Sequence, residues 1–94
     1  MNIKFLEQKT PKEINLEIAK RVQGIRKRRK LTQAKLSEKA GVSLGSVKRF
    51  ETLGEISLFS LTKIAIALEI EGGLEELFQE VPFQSIQEVI DGKY

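Results

Sequence analysis

The stretch TQAKLSEKAGVSLGSVKRFET, residues 32–52, carries two short helical patterns separated by one tight turn. Thr32 and Ser43 can each cap the first turn of a helix, because a short hydroxyl side chain accepts from a free backbone N–H. Gly41 supplies the left-handed backbone that ends a helix and lets the chain turn sharply. We therefore predict helices over residues 33–40 and 44–51, joined directly at this turn.

The apolar spacing in this stretch predicts how the two helices pack. Val42 in the turn, and Val47 and Phe50 on the second helix, are expected to meet Leu36 of the first helix. Ser37 is small enough to let the two helices cross closely. Because successive helical residues rotate by about 100°, burying Val47 and Phe50 turns the other side of the second helix outward.

Helical patterns continue on both sides. Thr10-Pro11-Lys12-Glu13 is a capping box that opens a helix to about Lys30. Ser57 can cap a helix over about residues 58–69, which Gly72-Gly73 breaks, and a short helix follows over residues 74–78. Ser85 can begin another short helix. The buried stripe of the first helix is expected at Ile14, Ile18, Val22 and Ile25, and the core side of the helix after Ser57 at Leu58, Leu61, Ile64, Ala65 and Leu68.

No segment alternates with the period of two that marks a strand. The 94 residues therefore predict one all-α domain of five compact helices with a short C-terminal extension. We divide the chain into an N-terminal arm, residues 1–9, a helical domain, residues 10–78, and the extension, residues 79–94.

Charge is distributed unevenly along the chain, although its net value is only +3. Eight Lys and Arg residues and no acid lie between Ile18 and Ser37, whereas seven acids and one base lie between Glu69 and Tyr94. The basic half can attract phosphates and the acidic half repels them. A basic run on its own is equally consistent with a solvated helix surface.

Several function classes are disfavoured by composition. The chain has no Cys and no His, so it lacks disulfides, the usual zinc ligands and the commonest general base. Glu75 and Glu76 are adjacent, and adjacent helical positions do not face each other as paired catalytic carboxylates. We predict no enzymatic activity, no metal, no cofactor and no membrane span, and we expect a cytoplasmic protein.

The string LTQAKLSEKAGVS, residues 31–43, resembles the helix-turn-helix of the Cro and phage-repressor superfamily, often called the XRE family. Phe50-Glu51, then Gly54, then Leu61-x-x-Ile64-Ala65-x-Ala67-Leu68 extend the resemblance through a fourth helix. It covers residues from about Arg26 to Phe78 and departs from the family at Ser37, where Ala is usual. Residues 79–94 match no part of the family core. The resemblance implies a lambda-repressor-like domain that binds duplex DNA.

The outward side of helix 44–51 is expected to enter the major groove. Arg49 is the leading base reader, because its fork matches guanine O6 and N7. Leu44 can touch a thymine methyl group, and Gly45 permits close backbone approach. The base-reading set is Arg49, Leu44, Gly45, Ser46 and Lys48.

A second set of residues is expected at the phosphates. The resemblance places Gln33 at a phosphate, at a helix N-terminus where N–H groups and the helix dipole favour anions. Such contacts position a protein without specifying sequence. The phosphate set is Thr32, Gln33, Ser43, Lys35, Lys30 and Arg29. Glu51 matches a family position that is usually structural and is left out of both sets.

One domain of this kind reads a half-site, so the resemblance implies a homodimeric repressor on a palindromic operator, associated with the nucleoid when bound to DNA. Two roles stay open for the apolar residues near the C-terminus: a dimer interface, or cover for the monomer's own core. They are Leu74, Leu77, Phe78, Val81, Phe83, Ile86, Val89 and Ile90. The alternative function is an antitoxin that binds a partner toxin and autoregulates its promoter.

Overall fold

The computed structural model describes residues 8–80, and in that range the chain forms five α-helices and no strand. The helices are α1 (Pro11–Arg28), α2 (Gln33–Ala40), α3 (Leu44–Leu53), α4 (Leu58–Ala67) and α5 (Glu71–Glu75). The expected all-α, five-helix fold is confirmed. The arm up to residue 7, the helix expected near Ser85 and the extension beyond Glu80 lie outside the described residues.

Four of these helices begin at hydroxyl caps that the sequence predicts. The Thr10 hydroxyl accepts from the Glu13 backbone N–H at 3.1 Å, and the Glu13 side chain accepts from the Thr10 N–H, which completes the capping box. Thr32, Ser43 and Ser57 each accept from the N–H three residues on, at 3.0–3.1 Å. Because each cap satisfies a free N–H, the helix starts are encoded locally.

Two helices end earlier than their sequence pattern suggests. α1 ends at Arg28 rather than near Lys30, and α4 ends at Ala67 rather than near Glu69. Lys30 and Glu69 adopt left-handed backbone, with φ of 59° and 60°. The N–H of Leu31 then bonds the Arg26 carbonyl at 3.2 Å, and the N–H of Ile70 bonds the Ala65 carbonyl at 2.8 Å. Both ends are Schellman-type caps built without glycine, which is why the sequence hides them.

The core lies where α1 packs on α3 and α4 packs on α2. This encloses the α2–turn–α3 unit between α1 and α4, and α5 packs mainly on α4. Leu36, Val42, Val47 and Phe50 are buried, as expected. The remaining members of the cluster are Ala19, Val22, Ile64, Ala67 and Leu68.

The buried face of α1 is rotated from the expected stripe. Ile14 and Ile18 are exposed, and the buried residues of the helix are Ala19, Val22 and Arg26. Turning Arg26 inward places it against an acid on α3, and this turns the face of Ile14 and Ile18 toward solvent. Ile18 instead lines an open apolar groove between α1 and α4.

The other departures lie at the ends of α3, α4 and α5. α3 continues past residue 51 to Leu53. Leu58, expected in the core, lies in the first turn of α4 and is exposed. α5 spans Glu71–Glu75 rather than residues 74–78, so Gly72-Gly73 lies inside it, and Phe78 is left at φ 61° and 85% exposed. The apolar spacing in the sequence does not show that few described residues cover α5 and the turn that follows it.

Candidate DNA interface

The turn between α2 and α3 holds the two helices in a fixed relation. Gly41 has φ 68°, the left-handed value expected of it, and its N–H bonds the Ser37 carbonyl at 2.9 Å. The Ser37 hydroxyl donates to the Val42 carbonyl across the same turn. Ser37, the residue at which the chain departs from the XRE pattern, therefore adds a hydrogen bond to the turn while remaining small.

α3 presents a polar outer side opposite its buried Val47 and Phe50. Gly45, Lys48 and Arg49 are exposed there, as the predicted helical geometry requires. A side chain added at Gly45 would meet no atom within 4 Å. The outer side of α3 is therefore open to a large partner such as a DNA groove.

The first turn of α3 is more constrained than the rest of this face. Leu44 lies at the margin between exposed and half-buried, and Ser46 is half-buried. The Ser43 hydroxyl donates to the Ser46 hydroxyl at 2.8 Å while also capping the helix. Ser43 and Ser46 therefore face each other, and an incoming phosphate or base would meet them as a pair.

Arg49 forms an ion pair that the sequence did not predict. Its Nε and Nη2 donate to Glu55 Oε1 at 3.0 and 2.6 Å, and both side chains are more than half exposed. The predicted base reader therefore carries an acid on one edge of its guanidinium.

Five of the six predicted phosphate residues lie in the first turn of α2 or just after the end of α1, and the sixth, Ser43, caps α3. Thr32, Lys35, Lys30 and Arg29 are exposed, and Gln33 is half-buried. The Lys35 ammonium lies 3.4 Å from Glu38, a pair so exposed that an anion can compete for the lysine. Arg29 lies 3.9 Å from Glu69, at the far edge of ion-pair range.

Gln33 belongs to a buried polar network centred on Glu51. The Glu51 carboxylate accepts from Arg26 Nε at 2.7 Å and Nη2 at 3.0 Å. It also accepts from Gln33 Nε2 at 2.9 Å and Gln23 Nε2 at 3.1 Å. Arg26 Nη1 donates to the Leu31 carbonyl at 2.7 Å, so the network joins α1, α2 and α3 at the start of the motif.

This network sets the charge state of Glu51. Burial alone would raise the pKa of its carboxyl. Hydrogen bonds from Arg26 and Gln33, the positive charge of Arg26 and the hydrogen bond from Gln23 together outweigh burial and lower the pKa. Glu51 is therefore ionised at neutral pH and compensates the buried guanidinium.

Arg26 belongs to the basic run that the sequence leaves open as a solvated helix surface, but its side chain is buried. Arg26 lies four residues after Val22 on the buried face of α1, and Glu51 lies four residues after Val47 on the buried face of α3. An Arg and a Glu that both continue apolar stripes are a signal of a buried pair, since neither is buried without compensation. Glu55 carried no such signal, because its partner comes close only through the turn after α3.

A family model described as helix-turn-helix, of the Cro and phage-repressor type, matches residues 22–73, more than half of the chain. The chain belongs to this helix-turn-helix family. The match covers the C-terminal part of α1, all of α2 to α4 and the start of α5, and ends before Leu77 and Phe78. No curated protein matches the chain significantly.

The helix-turn-helix family is one of DNA-binding domains rather than of enzymes. Within residues 8–80 no group of three or more acidic side chains converges as a metal site. Over the same residues no helix has both the length and the hydropathy of a membrane span.

Proposed function

We propose that the chain is a sequence-specific regulator of transcription, a repressor, that inserts α3 into the major groove of duplex DNA. The outer side of α3 carries this proposal, because Gly45, Lys48 and Arg49 are exposed on a helix whose opposite side is locked in the core. A recognition helix needs such an unobstructed face. The proposed location is the cytoplasm, with the protein associated with the nucleoid when it is bound to DNA.

Phosphate contacts would set the orientation of the domain. The N-terminus of α2 offers backbone N–H groups beside Thr32 and Gln33. The Gln33 amide spends one hydrogen on Glu51 and keeps a second for an acceptor. Gln33 can therefore bridge a DNA phosphate to the buried network, which ties docking to the relative positions of α1, α2 and α3.

The test begins by selecting bound fragments from random duplex DNA at stated salt, which gives the half-site and its spacing. Arg49→Ala should then reduce the ratio of cognate to non-cognate affinity by roughly five- to 150-fold, the value of one bidentate arginine–guanine contact. Binding titrations on both DNAs measure the ratio. Equal loss on both DNAs would reject a base-reading role.

Lys35→Ala is the matched control for that experiment. It removes an exposed cation from the neighbouring helix α2, where only phosphates are within reach in the proposed docking. It should weaken binding to both DNAs alike and lower the slope of log K against log salt by up to about one unit. A change in the ratio for Lys35→Ala would show that the assay does not separate the two roles.

We further propose that the regulator acts as a homodimer and that the extension, residues 79–94, contributes to the interface. The apolar residues Leu77 and Phe78 are exposed at the end of the described chain, next to the groove between α1 and α4. Burying them against a second copy would remove that surface from water. A symmetric dimer would place two α3 helices about 34 Å apart, one helical turn of DNA.

Deleting residues 79–94 should convert the dimer to monomer and weaken binding to a palindromic operator more than binding to a half-site. Sedimentation at matched concentration measures the first effect and titration on both DNAs measures the second. Phe78→Ser in the undeleted chain is the companion variant, since it removes only the most exposed apolar side chain within residues 8–80. An unchanged dimer in both variants would exclude this end of the chain as the interface.

The antitoxin is the second candidate function, favoured by exposed apolar side chains on α4 as well as near the end of the described residues. Leu58, Phe59 and Ile66 are exposed on α4, in addition to Leu77 and Phe78. A partner protein could cover part of this surface while α3 remains free for DNA. A stable complex with the product of the adjacent gene, isolated with DNA-binding activity intact, would favour the antitoxin over a stand-alone repressor.

A further inference from the structure

We propose that Glu55 is a positioning residue for base recognition: it orients the Arg49 guanidinium so that only one of its hydrogen-bonding edges faces the DNA. This inference rests on the proposed function, in which Arg49 reads a base. In this proposal Glu55, which lies just past the end of α3, determines which edge of the Arg49 guanidinium is presented to a base.

The contact pattern divides the guanidinium into a used edge and a free edge. Glu55 Oε1 accepts from both Nε and Nη2 of Arg49, which occupies the side of the fork nearest the chain. Nη1 and the second hydrogen of Nη2 remain, and they form the end of the fork. Two parallel N–H groups at that end match guanine O6 and N7. The ion pair and an end-on guanine contact can therefore coexist on one arginine.

The position of Glu55 is fixed by the backbone before it. Gly54 ends α3 with φ 75°, and its N–H bonds the Phe50 carbonyl at 2.8 Å. Gly54 is buried against α1, so close that a Cβ would come within 2.9 Å of the Asn15 backbone. Because the residue before it is held between two helices, Glu55 has little freedom to leave Arg49 by backbone movement.

The Arg49–Glu55 ion pair is expected to contribute little to the stability of the folded domain. Arg49 and Glu55 are 62% and 57% exposed, and exposed ion pairs contribute little to folding. An acid beside a DNA-binding face also repels phosphates, which lowers binding to every sequence. Glu55 is therefore expected to lower the affinity for DNA of any sequence. It is also expected to increase discrimination between cognate and non-cognate DNA, because it orders the long Arg49 side chain before binding.

Glu55→Ala and Glu55→Gln separate the charge of Glu55 from its acceptor. Both variants lose the negative charge and should bind non-cognate DNA more tightly. Glu55→Ala also loses the acceptor and should lower the cognate to non-cognate ratio by about two- to tenfold, the effect of leaving one long side chain unordered. Glu55→Gln keeps an amide oxygen in place and should retain more of the ratio than Glu55→Ala does.

Two controls complete the test. Glu38→Gln removes an exposed carboxylate from α2 and should raise both affinities without changing the ratio. In an Arg49→Ala background, Glu55→Ala should change the ratio no further, because its effect passes through the arginine. Thermal unfolding of each variant should stay close to that of the parent chain.

Three results would overturn the proposal. The first is an unchanged cognate to non-cognate ratio in Glu55→Ala. The second is a raised ratio in that variant, which would mean that Glu55 competes with DNA for Arg49. The third is an equal loss of the ratio on Glu55→Ala with and without Arg49. Failure of the proposed function would be recognised separately: in that case the ratio would be unchanged in Arg49→Ala alone. A reduced ratio in Arg49→Ala with an unchanged ratio in Glu55→Ala would reject only the role of Glu55.

Discussion

Replacing Glu51 with alanine is expected to lower the free energy of unfolding by about 3–5 kcal/mol, because removing one partner leaves a buried charge uncompensated. The Arg26 and Glu51 side chains are only 9% and 2% exposed, so the guanidinium would be left without its carboxylate in a site largely closed to solvent. Gln23 and Gln33 would lose their shared acceptor at the same time. Urea unfolding followed by circular dichroism at neutral pH measures the change.

A double variant and a surface control make this prediction specific. Arg26→Met with Glu51→Leu removes both charges and should cost less than Glu51→Ala alone, since apolar pairs of similar volume replace buried ion pairs well. Glu38→Ala breaks the exposed pair with Lys35 and should change stability by no more than about 0.5 kcal/mol. A loss below about 1 kcal/mol in Glu51→Ala would contradict the account of a desolvated network.

The same network gives stability a defined pH dependence. The pKa of Glu51 lies below its ordinary value of 4.5 in the folded chain. The unfolded chain therefore binds the proton first, and the contribution of Glu51 is fully present above pH 4.5. It is lost as the pH falls through the lower folded pKa. Glu51→Gln should flatten this acid limb more than Glu17→Gln does, because the pair with Lys9 that lowers the pKa of Glu17 is exposed and screened by solvent.

The second large effect is expected at Gly54. Gly54→Ala should lower the free energy of unfolding by about 2–4 kcal/mol, from left-handed strain together with overpacking. The φ of 75° is unfavourable for alanine, and the added Cβ would lie 2.9 Å from Asn15 C and 3.0 Å from Leu16 N. These are backbone atoms, so α1 and α3 would have to separate.

Gly24→Ala is the matched control for Gly54→Ala. Gly24 lies inside α1, and its added Cβ would meet only the end of the Arg28 side chain, at 3.9 Å. Alanine there should stabilise the domain by up to about 1 kcal/mol through helix propensity. If both variants had similar melting temperatures, the close approach at Gly54 would not be a constraint on the fold.

The local signals in this chain predict local structure well. Thr10 with Glu13, Thr32, Ser43 and Ser57 start helices because each side chain satisfies an N–H within its own first turn. Gly41 and Gly54 end helices because they accept left-handed backbone. The spacing of Val47 and Phe50 predicts which side of α3 faces outward, because helical rotation is the same in every sequence. These features need no knowledge of distant contacts.

The predictions made from the sequence were wrong where the burial or backbone conformation of a residue depends on contacts with another helix or turn. Ile14 and Ile18 fit an apolar stripe, but the face of α1 that meets α3 is chosen by Arg26 and Glu51. Leu58 fits the core pattern of α4, yet it lies in the first turn of that helix at the groove facing α1 and stays 67% exposed. Lys30 and Glu69 cap helices in left-handed backbone that sequence preference would assign to glycine.

By itself the sequence determined that this chain is helical, where four of its helices begin, and that residues 32–52 form a helix-turn-helix with Arg49 on the outer side. Those are consequences of spacing and capping, which act over a few residues. Only the tertiary structure decided that Arg26 and Glu51 neutralise each other in the core and that Glu55 holds Arg49. Arg26 and Glu51 lie on different helices, so their distance follows from the packing of α1 on α3. Glu55 lies just past the end of α3, so its distance to Arg49 follows from the left-handed turn at Gly54 and the close approach of that glycine to α1.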